Sequence, residues 1–326
     1  MRKHSCAVIL ILATTSLAQR TYYLNERFPN GYRYSVQSRV DLSGSLLTTG
    51  RDGKSKKLSL SGESSIDYSE RVLALNASGE VERALRIFKR VKMERKVGGV
   101  DQSSSLRPAV YRIVQMRRDG KESPFSPDGP LTWAEIDLIR TDVFTPALRG
   151  LLPEKGVMIG DSWKASVASI RELTDMEKVE GELRCRLERV MNLVGRKHAR
   201  VSFRGNVKGT NEDGPGSQRL EGFYYFDLES SHLSYLSLRG RHALMDAKGN
   251  EVGHVEGRFV LSRQVAKVIR GLEDEDLRRL TLTPNASNSL LLFESKTLKA
   301  SFLYPRRWRV ATSSGQQIML DSAEGA

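Results

Sequence analysis

Two histidines, three carboxylates and a set of basic strand residues are the side chains here whose types and spacing could do chemistry. If the hairpin around Lys248 closes through a three-residue loop, His242 stands directly opposite His254, with the two imidazoles about 5 Å apart. Such a pair could ligate a transition metal or sense pH, with Glu256 as a helper. No third ligand is specified, and two half-exposed strand histidines on a mixed face account for the same pattern. Glu135, Asp137 and Asp142 cluster beside Trp133, as paired carboxylates do for acid and base work. Glu135 also has a structural job as a helix-capping acid, so Trp133, Glu135 and Asp137 are taken as contacts for a ligand or partner, and no residue is assigned a catalytic role. Arg86, Arg90, Lys92 and Lys96 are expected on one face of a strand. Lys54, Lys56, Lys57, Arg117, Arg118 and Lys121 lie near neighbouring turns. Together they could hold an anionic polymer, although basic residues also keep exposed strands soluble and protect sheet edges. Phe223-Tyr224-Tyr225-Phe226 sends aromatics to both faces, as core and cross-strand packing require. No G-x-S-x-G elbow, H-E-x-x-H, phosphate-binding glycine loop or paired C-x-x-C occurs, which lowers the odds of hydrolase or nucleotide chemistry.

The elements that must position these residues are mostly strands. From 32 to 42, Tyr32, Tyr34, Val36, Val40 and Leu42 alternate with Arg33, Gln37, Arg39 and Asp41, the signature of a half-buried strand. After a turn region from Gly50 to Lys57, Leu58, Leu60, Ile66 and Tyr68 alternate with Lys57, Glu63 and Asp67. A third run sets Val81, Leu85, Ile87, Val91, Met93 and Val97 against Glu82, Arg86, Arg90, Lys92, Glu94 and Lys96. These runs predict an antiparallel meander wet on one side. Val110 to Met116 reads as a fourth strand, followed by the tight-turn pair Asp119-Gly120. A Pro- and Gly-rich loop from Ser123 to Pro130 then leads into Thr132-Trp133-Ala134-Glu135, a capping box that starts a helix. Thr145-Pro146 starts a second short helix, which Pro153 closes. Strand texture returns in Trp163 to Val167, Leu183 to Val190, His198 to Val207, Leu220 to Leu228, Leu233 to Leu238, Arg241 to Met245 and Val252 to Leu261. Asn211 to Gly216 reads as a connector, and Asp246 to Asn250 as a hairpin turn.

Bulk properties bound the setting. Arg2 and Lys3, an apolar stretch from Ala7 to Ala13, and Ser16 and Ala18 form a secretory leader over residues 1–18, cleaved after about Ala18. Export to the periplasm or the extracellular space is therefore expected, with no membrane span. Cys6 would leave with the leader, so Cys185 would stand alone, as a buried inert thiol between Leu183 and Leu187. The net charge of +13 marks a strongly basic chain, and with export the expected partners are envelope lipid or anionic polysaccharide rather than nucleic acid. No cofactor is implied.

The run SPDGPLTWAEIDLIRTDVFTPALRGLLP from Ser126, with VMIGDSW ending at Trp163, resembles a group of uncharacterised exported proteins of planctomycete-type bacteria. The resemblance extends less distinctly to about residue 262 and brings no catalytic motif. Phe302-Leu303-Tyr304-Pro305-Arg306-Arg307-Trp308 is similar to the opening strand and turn of a PsbP-like α/β domain, most of which would be missing here. The fold expected is mainly β (β-rich α+β): antiparallel meander sheets, curved or packed as two sheets, with a short helical insert near 131–152. Its domains are a β-rich main domain over 19–262, with halves 19–122 and 160–262 joined by a loop-helix insert at 123–159, then a charged and polar linker over 263–289 and a partial PsbP-like segment over 290–326. The expected role is a noncatalytic exported β protein that binds an apolar or amphipathic ligand or an envelope component. The alternative is a structural or adhesion protein that holds anionic envelope polymer through a basic sheet face, and an enzyme of unfamiliar type is the third.

Overall fold

A computed structural model describes residues 20–49, 55–118, 121–211, 214–246, 248–314 and 317–322. The leader expected at 1–18, Lys54, the Asp119-Gly120 turn, and parts of the turns expected at Gly50 to Lys57, Asn211 to Gly216 and Asp246 to Asn250 lie outside the described residues. Strands hold 61% of the structure and helices 11%, which makes it mainly β.

The first half contributes β1 (Arg33–Thr49), β2 (Ser55–Leu75), β3 (Val81–Val97), β4 (Val100–Ser105), β5 (Arg112–Arg118) and β6 (Lys121–Glu122). Two short helices follow, α1 (Trp133–Arg140) and α2 (Val167–Thr174), with a 3-10 turn at Thr145–Leu151 and the brief strand β7 (Ser162–Lys164) between them. The second half contributes β8 (Lys178–Leu193), β9 (Arg196–Asn211), β10 (Gly214–Asp227), β11 (His232–Met245) and β12 (Glu251–Val265). Twelve strands make one antiparallel sheet in the order β6-β5-β3-β2-β1-β12-β11-β10-β9-β8-β7, with β4 on β3. The pairing of β1 with β12 joins the halves, so the meander is one curved sheet rather than two packed layers.

Alternation gives each strand an inner face toward the insert and an outer face away from it. Tyr34 and Val36 of β1, Ile66 and Tyr68 of β2, Leu183, Cys185 and Leu187 of β8, Phe203 of β9, Tyr224 and Phe226 of β10 and Leu261 of β12 bury the inner face against Ile136, Ile139, Leu148, Leu151 and Ile170. An eight-residue helix is about 12 Å long, whereas a strand of 14 or more residues extends beyond about 45 Å. The insert therefore covers only part of the inner face. Glycines let the sheet coil there: a Cβ on Gly44 would run into the carbonyl of His254, and one on Gly205 into that of Glu182.

Three strand expectations are corrected. The runs at 233–238 and 241–245 are one strand, because Arg239 and Gly240 pair with Arg258 and Gly257 instead of turning. Strand β7 stops at Lys164, and Ser166 caps α2 by accepting from the Ser169 amide at 3.2 Å. In β3 a bulge at Lys89 shifts the register, Asp67 facing Arg90 while Tyr68 faces Phe88. A single extra residue reverses which face every later side chain takes. Hence Arg86 lies on the inner face, fully buried, and Arg90, Lys92 and Lys96 stand exposed on the outer face.

The span after β12 lies along the outer face of the first half. Leu272 is fully buried with Leu85, Val114 and Phe125, and Ile269, Leu280 and Leu282 pack beside it. Arg33 and Arg71 both donate to the Leu272 carbonyl, at 3.0 and 2.8 Å, and α3 (Asp274–Leu277) sits within this strap. Beyond it, β13 (Leu290–Ser295) pairs with β14 (Ala300–Pro305), and β15 (Trp308–Ser314) with β16 (Gln317–Ser322). Leu291 is buried and bridges to Leu131, which docks these hairpins on the start of the insert.

Candidate crevice between the insert and the sheet

The insert is held in place by buried charge. Asp142, just past α1, accepts from the Arg86 guanidinium at 2.8 Å, and Arg86 also pairs with Glu70, which in turn takes the Tyr34 hydroxyl hydrogen bond. Arg86 lies 4.4 Å over the Tyr68 ring, and the Tyr68 hydroxyl meets Thr145 at 3.1 Å. Burial pushes the Asp142 carboxyl up to about 6 even though Arg86 pulls it down. A second tie runs from Arg117 of β5 to Glu172 of α2 at 2.6 Å, and Glu172 also accepts from the Phe144 amide.

Between insert and sheet lies a crevice of about 2470 Å³. Leu238 and Phe259 of the inner face form its floor, and Val143, Ala147, Leu173 and Met176 of the insert its walls. Charges of both signs stand along it, Arg140, Arg149, Lys155 and Arg171 among the basic residues and Asp137, Asp142, Glu154, Asp161, Glu172, Asp175 and Glu177 among the acidic ones. The crevice thus joins an apolar floor to a margin of mixed charge.

The residues singled out in the sequence fall in several places. Asp137 and Asp142 line the crevice, Asp137 on the exposed side of α1. Glu135 is buried: its carboxylate takes the Thr132 amide at 2.8 Å and the Arg107 guanidinium at 2.8 Å, completing the capping box. Burial raises its pKa, but these hydrogen bonds outweigh that and hold the carboxyl below its ordinary range. Trp133 lies under Arg309 of β15, at 5.2 Å. Glu135 and Trp133 thus fasten the insert and the C-terminal hairpin.

The histidine pair is not formed. Met245 faces Glu251, as a three-residue loop requires, but a bulge at Val252 shifts the register so that His242 faces Val255 and Ala243 faces His254. The two imidazoles point to opposite faces. His254 lies 3.5 Å from Glu251, and Glu256 lies 3.6 Å from Arg241. No group of three or more potential metal ligands occurs among the described residues. Cys185 is buried, and burial pushes its thiol up to about 12. The buried acids Glu70 and Glu26 escaped sequence reading. Glu70 falls on a face that looks polar until the register is known, and Glu26 sits before the first strand, where it pairs with Arg263.

The class is thus an open, curved antiparallel sheet with a helical insert on its inner face. No family model matches the chain, and no curated protein matches it. Among solved structures, the chain is similar to one of lipovitellin described by its lipid–protein interactions, at 12% identity and a TM-score of 0.37 over 74% of this chain and 26% of that one. It thus spans about a quarter of that protein. A mutant porin of Rh. blastica aligns at 6% identity and a TM-score of 0.16 over 71% of this chain and 100% of the porin. At such values neither fold nor ligand passes from those proteins to this one. No helix among the described residues is long and apolar enough to cross a membrane.

Proposed function

We propose that this chain is a noncatalytic, exported binding protein that holds an apolar or amphipathic molecule of the envelope-lipid class in the crevice between insert and sheet. The observation that carries the reading is the crevice itself, with Leu238 and Phe259 as floor, apolar walls, and Arg149, Lys155 and Arg171 among the charges of both signs at its margin. Its volume is more than twice the roughly 1,000 Å³ upper range of drug-sized sites, which suits acyl chains. The cationic residues would hold an anionic headgroup while the chains cover Phe259. Titration with a fluorescent fatty acid tests this directly. Saturable binding that Phe259→Asp weakens at least tenfold supports the reading, and equal binding by that variant contradicts it.

A further inference from the structure

The outer face of β8 to β12 carries a feature that folding alone does not require. Four arginine pairs stand directly opposite one another on adjacent strands: Arg258 with Arg239, Arg241 with Arg219, Arg204 with Arg184, and Arg200 with Arg189. Like charges directly opposed destabilise a sheet. Acids relieve part of this repulsion: Arg241 pairs with Glu251 and Glu256, Arg184 with Glu182, and Arg200 with Glu188, while Glu221 stands opposite both Arg204 and Arg239, and Asp41 opposite Arg258. Arg189, Arg204, Arg219, Arg239 and Arg258 are exposed and form no ion pair among the described residues. On the same face, Phe223, Tyr225 and Tyr235 form an aromatic cluster with ring centroids 5.4 to 5.9 Å apart, and Arg200 lies 4.5 Å over Phe223. Across the junction, Asp41 faces Arg258 on one side and Glu63 on the other, and Glu63 faces Glu94. The outer face of β8 to β12 is thus an arginine-rich field with an aromatic cluster on it, and a short row of acids lies beside it on β1 to β3.

We propose that this basic field is a docking surface for a linear acidic polysaccharide, whose carboxylate or sulfate groups bridge the arginine pairs and whose sugar rings rest on Phe223, Tyr225 and Tyr235. An anionic group between two opposed guanidinium groups removes the repulsion that the bare sheet carries, so the unfavourable pairing becomes the binding contact. The row of acids at Asp41, Glu63 and Glu94 sets one edge of the field. A nucleic-acid platform needs rings that stand free for successive bases to stack. Here each ring already leans on another, leaving a shallow apolar surface suited to the C–H face of a sugar. This site lies on the face opposite the crevice and does not depend on it.

The test is binding of the chain to fluorescein-labelled polygalacturonate at low salt, with neutral dextran and single-stranded oligothymidylate as comparison probes. The expected result is salt-sensitive binding to polygalacturonate and none to dextran. Arg239→Glu with Arg258→Glu should weaken it at least tenfold, Tyr235→Ala several-fold, and the control Arg90→Glu with Lys92→Glu less than twofold. Because the substituted arginines are exposed, circular dichroism should show all variants folded. Absence of polygalacturonate binding at low salt, an equal loss in the control, or tighter binding of oligothymidylate would each overturn the proposal.

Discussion

The two halves of the sheet have the same strand grammar and solve opposite problems. In β1 to β3 the inner face is fastened to the insert by a buried cluster of Arg86, Glu70, Asp142, Tyr34 and Tyr68, and part of the outer face is covered by the Leu272 strap. In β8 to β12 the inner face is mainly apolar, with Leu187, Phe203, Tyr224 and Leu236, while the outer face leaves its arginines in solvent. The first half buries Arg86 and Glu70 inside, where they fix one position of the insert. The second half keeps most of its arginines outside in solvent, Arg263, buried against Glu26, being the exception. Burying a charge pair is weak support for stability but a strong constraint on geometry, because removing one member strands the other.

The largest effect expected of this contrast is at Arg86. Arg86→Ala strands Glu70 and Asp142 in the core and should cost about 3–5 kcal/mol, read by urea unfolding. Arg239→Ala, its counterpart on the other half, should stay within about 0.5 kcal/mol of the parent in the same assay. Leu272→Ala should cost about 2–5 kcal/mol by opening a cavity under the strap, and equality with the parent would show that the strap does not close the first half.

The halves should also answer acid with opposite signs. Burial raises the Asp142 pKa to about 6 from 3.8, so its contribution is full below the lower value and is lost as pH rises through the higher one. The parent should lose stability relative to Asp142→Asn between pH 4 and 6. His232 in β11 is buried, and burial, with Arg263 adding to it, lowers its pKa from 6.5 to about 4. The parent should therefore lose stability relative to His232→Phe as pH falls from 6.5 to 4. Each slope is bounded at about 3 kcal/mol, and thermal melts of the three proteins across that range measure both.

Much of this was legible in the chain and some of it was not, for a definite reason. Alternation placed Tyr34 and Val36 in the core, the Thr132 and Glu135 capping box placed α1, and Thr145-Pro146 placed the 3-10 turn. Alternation carries no information about a bulge, which changes one residue and inverts the rest of the strand. Lys89 moved Arg86 from a supposed polymer-binding face into the core, and Val252 separated His242 from His254. The opposed arginine pairs needed the register of five strands at once, which no single run reveals. Arg239-Gly240 resembles a turn, yet a Cβ at Gly240 would crowd the Leu220 side chain, so glycine serves close packing in mid-strand.

The central claim, that insert and inner face together hold a lipid, is tested most directly by native mass spectrometry of residues 19–326 purified gently and then offered phosphatidylglycerol. The account predicts a stoichiometric lipid adduct on the parent that is lost from Phe259→Asp. A clean unliganded mass for the parent after lipid is offered would contradict it.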